Sequence, residues 1–138
     1  MTDCIFCKIV SRQIPGHVIY EDDDVLAFLD ISQTTKGHTL VIPKIHQADI
    51  FEIDETAMRA VFAVVPKITH ALKATLGCGG INVVSNNGKI AGQTVFHYHV
   101  HLIPRYPGDE FKISFANNTE ANNDECLASL KKQIKTNL

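Results

Sequence analysis

The chain has 138 residues, 45% of them hydrophobic, with 13 Lys and Arg against 15 Asp and Glu for a formal net charge of −2, which fits a single domain spanning residues 1–138. The basic residues are scattered, so no positive stripe tracks a phosphate backbone and polymeric nucleic acid is not an expected partner. No apolar run nears the roughly 20 residues that cross a bilayer, and Met1-Thr2-Asp3 opens no basic-then-apolar leader, so the expectation is a cytoplasmic protein without membrane contact.

Asp3 to Val10 reads as a short helix, with Thr2 or Asp3 as N-cap and Ile5, Phe6 and Ile9 as its apolar face, ending before Pro15-Gly16. Residues 18–20 and 25–29 read as strands joined by the acidic turn Glu21-Asp22-Asp23-Asp24. A third strand covers His38 to Ile42 and is stopped by Pro43. From Asp54 to Leu76 the residues Ala57, Val61, Val64, Val65, Ile68, Leu72 and Leu76 fall on one stripe at the helical period, with Gly77 as C-cap and Pro66 predicting a kink near Phe62. A strand at Ile81–Ser85, a polar loop at Asn86–Thr94 and a strand at Val95–Ile103 closed by Pro104 follow. After a loop at Asn117–Asn123, a terminal helix at Asp124–Ile134 turns Leu127, Leu130 and Ile134 inward. The expected fold class is α+β, an antiparallel sheet with a long helix packed across one face.

Seven histidines are present and three of them alternate in His97-Tyr98-His99-Val100-His101-Leu102. In a strand, all three imidazoles project from one face while Tyr98, Val100 and Leu102 enter the core beneath the long helix. Two chemistries use such a row: the rings ligate a catalytic metal, or one imidazole attacks phosphorus while its neighbours donate hydrogen bonds. The preceding loop favours the second. Its amide and hydroxyl side chains, and backbone N–H groups made approachable by Gly88 and Gly92, suit a phosphate.

The run Gly92-Gln93-Thr94-Val95-Phe96-His97-Tyr98-His99-Val100-His101-Leu102-Ile103 resembles the signature of the histidine-triad superfamily. The similarity extends through Phe28-Leu29-Asp30-Ile31, Gly37-His38-Thr39-Leu40-Val41-Ile42-Pro43-Lys44 and Cys4-Ile5-Phe6-Cys7-Lys8-Ile9, covering residue 4 to about 106, and is strongest to the small nucleoside-binding proteins of bacteria. The resemblance implies a histidine-triad-like fold and a homodimer. It implies that His99 attacks the α-phosphorus of a nucleoside phosphate ester or amide, that a nucleotidyl-histidine forms and is hydrolysed, that His101 binds the phosphate oxygens, and that His38 lies near the leaving group. Asn86, Gln93 and Thr94 match phosphate-contacting positions and Asp30 the ribose-gripping acid, which otherwise reads as an ordinary turn cap. Ile5, Phe6, Ile9, Phe28, Ile31 and Leu40 become the apolar slot for a purine.

Cys4 and Cys7 form a C-x-x-C with too little chain before it for the strand a thioredoxin-like motif needs. On a helical turn both sulfurs share one face, and a tetrahedral site needs two further ligands, for which His46 and His97 are the candidates. Some bacterial members of the superfamily bind zinc at four such positions, so the resemblance implies structural zinc. His17 and His70 match no motif, and Cys78 and Cys126 read as free thiols. The leading expectation is a purine nucleoside phosphoramidase. Its rivals are a dinucleoside polyphosphate hydrolase, a zinc hydrolase using His97, His99 and His101 as ligands, and a nucleotide-sensing adaptor.

Overall fold

A computed structural model describes residues 3–138. In chain order it holds helix α1 (Ile5–Val10), strands β1 (Val18–Glu21), β2 (Val25–Leu29) and β3 (Thr39–Pro43), helix α2 (Glu55–Leu76), strands β4 (Gly80–Val84) and β5 (Val100–Arg105), and helix α3 (Asp124–Thr136). The strands form one antiparallel sheet in the order β1-β2-β3-β5-β4. Side chains of a strand alternate between faces, and here both faces of the middle strands are covered. Val25, Ala27 and Val41 join Val61, Val64, Val65, Ile68 and Leu72 of α2, together with Tyr98, Val100 and Leu102. Leu26, Phe28, Leu40 and Ile42 meet Phe6 and Ile9 of α1 on the other side.

The long helix starts where Asp54 accepts a hydrogen bond from the Ala57 N–H (2.8 Å) and ends at Gly77, whose φ of +65° is the left-handed conformation that closes helices. It runs through Pro66 without interruption, and the Pro66 carbonyl accepts from the Thr69 hydroxyl and the His70 ring. No helix among the described residues is long and apolar enough to cross a membrane.

Several boundaries depart from the sequence reading. Helix α1 begins at Ile5 with Cys4 as its N-cap instead of Asp3; Thr2 lies outside the described residues. Strands β3 and β5 include Pro43 and Pro104. Their missing N–H groups do no harm, because the β3–β5 ladder spans only Thr39–Val41 against Val100–Leu102. Residues 95–99 are not strand: the Tyr98 N–H donates to the Gln47 carbonyl (2.7 Å) instead of to a sheet neighbour. Helix α3 forms with Asn123 as N-cap, but Leu127, Leu130 and Ile134 are 48–52% exposed and not turned into a core, because nothing among the described residues covers them.

Candidate active site

Strand pairing places His101 opposite Leu40, hence on the α1 face. His99, just before the strand, stands beside it with ring centroids 5.0 Å apart and meets the edge of Phe6 at 5.2 Å. His38 arrives from the start of β3, where Gly37 holds a φ of +92° and any side chain would run into Leu76 and Pro104. Only glycine fits there.

Hydrogen bonds fix what each imidazole offers. His99 Nδ1 lies 2.7 Å from the His97 carbonyl, so Nδ1 carries the proton and Nε2 keeps its lone pair. The Thr34 N–H donates to His38 Nδ1 (3.2 Å), so in the neutral ring His38 Nε2 carries the proton and donates to His101 Nδ1 (2.8 Å). The Nε2 of His101 is then a donor. Neighbouring rings therefore present opposite characters, a lone pair on His99 and an N–H on His101. Burial lowers the pKa of His99 below the usual histidine range, the His97 carbonyl and Asp30 offsetting only part of this. Burial, followed by His99 and His38, takes His101 down to about 4, and burial likewise lowers His38 against the pull of Asp30. All three rings are held neutral at pH 7.

A cavity of about 520 Å³ opens beside these rings. Ile5, Phe6, Ile9, Phe28, Ile31, Leu40, Asp30, Asn86, Thr94, His99 and His101 all line it, with Ile31 at a rim where it is 92% exposed. Asp30 does two things: Oδ1 accepts from the Ser32 N–H (2.8 Å) and hydroxyl (2.6 Å), and Oδ2 stands 3.7 Å from His38 Nε2. Burial alone would raise its pKa, but the Ser32 donors hold it below the usual carboxylate range.

Two expected site residues do not line the cavity. His38 is buried behind His101, so the structure gives it a place supporting His101 and not one beside a leaving group. Gln93 is buried and committed, accepting from the Gly88 N–H (2.8 Å) and donating to the Ala48 and Val95 carbonyls (2.7 and 3.1 Å); it braces the loop and leaves no amide for a phosphate. The sequence reading missed Ile14, Pro15, Gly16 and His17, which also line the cavity. The available signal was Gly16, where a side chain would come within 2.9 Å of Ile9.

His97 leaves the row. Its Nε2–H donates to the Pro43 carbonyl (2.8 Å), freeing Nδ1, which lies 3.5 Å from both Cys4 Sγ and Cys7 Sγ. His46 Nδ1 is 3.3 Å from Cys7 Sγ, and the four ligand atoms all fall within 4.8 Å of one another. Zinc bound tetrahedrally, with Zn–S about 2.3 Å and Zn–N about 2.0 Å, sets sulfur and nitrogen about 3.5 Å apart, so this donor set fits the ion. In the protein alone, burial and the Cys4 thiol push Cys7 up to about 11, so zinc binding must displace protons there. The three rings of the histidine row do not converge on a common point, their Nδ1 atoms facing the cysteines, the His97 carbonyl and His38 respectively.

Residues 11–108 match the HIT domain family. The chain is 46% identical to the Bacillus subtilis protein hit over 99% of its own length and 94% of the relative's. It is 40% identical to the Arabidopsis thaliana adenylylsulfatase HINT3 over 78% of the chain and 54% of that protein. Among solved structures, a HIT family protein from Bacillus anthracis superposes with a TM-score of 0.95 at 49% identity, covering 99% and 97% of the two chains. A zinc-bound histidine-triad family protein from Mycobacterium smegmatis matches at 0.77 and 38% identity over 96% and 98%. A histidine triad nucleotide-binding protein from Candida albicans matches at 0.87 and 33% over 98% and 96%.

Proposed function

The chain belongs to the HIT domain family, and on that premise we propose that all of its 138 residues form one hydrolase domain that cleaves purine nucleoside 5′-phosphoramidates through a nucleotidyl-histidine at His99. The observation that carries this reading is the pair of opposite tautomers, the His99 Nε2 lone pair beside the His101 Nε2–H. The lone pair attacks the α-phosphorus and forms a P–N bond. The bond to the leaving nitrogen breaks, its electron pair going to that nitrogen, which takes up a proton and departs as an amine. Water then adds to phosphorus and loses a proton, the bond to His99 breaks, and the nucleoside monophosphate leaves. His101 donates to the phosphate oxygens in both steps. Ile5, Phe6, Ile9, Phe28 and Leu40 hold the purine, Asp30 the ribose hydroxyls, and Asn86 and Thr94 the phosphate. Cys4, Cys7, His46 and His97 would hold zinc, whose chemistry there is structural because four protein ligands leave no open position. The enzyme would work in the cytoplasm as a homodimer.

Charge separates this reading from its nearest rival. Among the described residues no Lys or Arg lines the cavity, and the one acid that does is Asp30. A single ionised phosphate suits such a site better than the polyphosphate bridge of a dinucleoside polyphosphate, which would need cations. The adenylylsulfatase relative acts, by its name, on a nucleoside phosphate joined to another small leaving group.

The test is intact-mass measurement of protein mixed with adenosine 5′-phosphoramidate and quenched before steady state under conditions that spare the P–N bond. The expected result is a transient gain of one adenylyl group, absent from His99→Ala. AMP release without an adduct at any time would overturn the covalent mechanism, and no release from any nucleoside conjugate would favour a nucleotide-sensing adaptor.

A further inference from the structure

The Cys/His cluster and the cavity share residues, and the inference drawn from this rests on the function proposed above. Helix α1 has six residues, too few to remain helical in water by themselves. Both cysteines of the cluster belong to it: Cys4 caps it, Sγ accepting the Cys7 N–H (3.4 Å), and Cys7 sits in its body. Ile5, Phe6 and Ile9 from the same helix form a cavity wall. Phe6 also meets the rings of His97 and His99 edge-on, with centroids 6.0 and 5.2 Å away. His97 supplies a second route. Its ring joins the cluster through Nδ1 while its backbone carbonyl holds the His99 proton. Residues 95–99 lie outside the strands, and the peptide that carries this carbonyl is held instead by the Tyr98 N–H donating to the carbonyl of Gln47 (2.7 Å), the neighbour of His46 in the cluster.

We propose that Cys4, Cys7 and His46 are positioning residues for the nucleotide site. Zinc held by them and His97 fixes α1 as the wall of the purine slot and the His97 carbonyl as the anchor of His99, so metal occupancy and nucleotide binding are thermodynamically coupled. The core between α2 and the sheet contains none of these four residues, so the stripped protein keeps its fold and loses the shape of the site.

Coupling between two ligands is reciprocal, which supplies readouts other than turnover. Calorimetry with AMP is run on the full chain loaded with zinc and stripped of it, and zinc affinity is measured by chelator competition with and without saturating AMP. AMP binds about tenfold more weakly to the stripped protein, and AMP tightens zinc by the same factor. Phe6→Ala, which keeps all four ligands, shows a clearly smaller factor. Equal AMP affinity in both forms, with zinc affinity indifferent to AMP, would overturn the coupling while leaving the proposed hydrolase intact wherever the adenylyl adduct is still seen. Loss of the far-UV circular dichroism signal on stripping would also overturn it, by making the metal a staple of the whole fold. An undiminished factor in Phe6→Ala would overturn the route through α1. AMP binding to neither form would remove the proposed function, and the coupling with it.

Discussion

The two faces of the sheet are covered by helices of very different length. Helix α2, with 22 residues, is about 33 Å long at 1.5 Å per residue and seals its face with Val61, Val64, Val65, Ile68 and Leu72. Helix α1, with six residues, is about 9 Å long and leaves the rest of its face open as the cavity in which His99 and His101 stand. The larger apolar cluster lies on one side of the sheet and the candidate active site on the other. Strands β2 and β3 serve both, since alternate residues of the same strand enter different clusters.

The largest expected effect lies on the open face. His99→Ala removes the proposed nucleophile, and turnover of adenosine 5′-phosphoramidate falls by about 10⁴-fold or more, while urea midpoints stay close to wild type because the slot accommodates the smaller side chain. Steady-state kinetics and chemical unfolding on the same samples check both halves. A large fall in stability would mean that the two faces are not separable.

The converse change is Leu102→Ala on the sealed face. Leu102 is fully buried against α2, so truncation costs about 2–5 kcal/mol of unfolding free energy, with kcat/KM on folded protein changing by less than about threefold. The pair, His99→Ala and Leu102→Ala, is the most direct way to break the comparison between faces.

His38→Ala tests the layer behind the open face. Without the His38 Nε2–H, His101 is free to carry its proton on Nδ1 and to turn a lone pair toward the phosphate, so kcat falls by about tenfold or more, with substrate affinity less affected. His38→Gln, which keeps a donor near the same place, recovers part of the loss. Equal rates for wild type and His38→Ala would show that His38 does not set the character of its neighbour.

Much of this arrangement is legible in the sequence, for a local reason. Unbroken, largely apolar runs mark β2 and β3, which are buried on both faces, alternation marks the Val100–Leu102 part of β5, and the helical stripe with Asp54 and Gly77 at its ends marks α2, because these patterns depend on residues near in sequence. What periodicity misreads is decided by distant groups. The alternation of His97, His99 and His101 reads as one strand face, yet the Gln47 carbonyl takes the Tyr98 N–H and the cysteines take the His97 ring. Gln93 offers an amide that reads as a phosphate contact, while the Gly88, Ala48 and Val95 backbone uses all of it. The stripe of Leu127, Leu130 and Ile134 is genuine, but a stripe does not say what covers it. The pairing of His46 with the cysteines came from family resemblance, since 39 residues separate His46 from Cys7 and no local pattern joins them.

The smallest effect sharpens the comparison through pH. His101 is held at about 4 on folding against about 6.5 in an unfolded chain, so the unfolded state takes up a proton first as the solution is acidified. Stability linked to this group is therefore fully present above about pH 6.5 and declines as pH falls toward 4, with a slope of up to about 1.4 kcal/mol per pH unit. Urea unfolding of wild type and His101→Asn at intervals from pH 4.5 to 7.5 isolates the contribution, because both proteins keep His97, which burial likewise holds at about 4. The variant's curve is flatter by up to one proton, part of the difference coming from His38, whose ring shares the hydrogen bond with His101. Leu102→Ala, by contrast, shifts the whole curve downward without changing its slope, since the titrating side chains in and against its cluster are Tyr20 and Tyr98, pushed further above the acid range by the Asp22 hydrogen bond and by burial respectively. Identical slopes for wild type and His101→Asn would mean that the histidine layer is open enough to water for its burial to have no effect on folding, and the open face would then differ from the sealed one in shape alone.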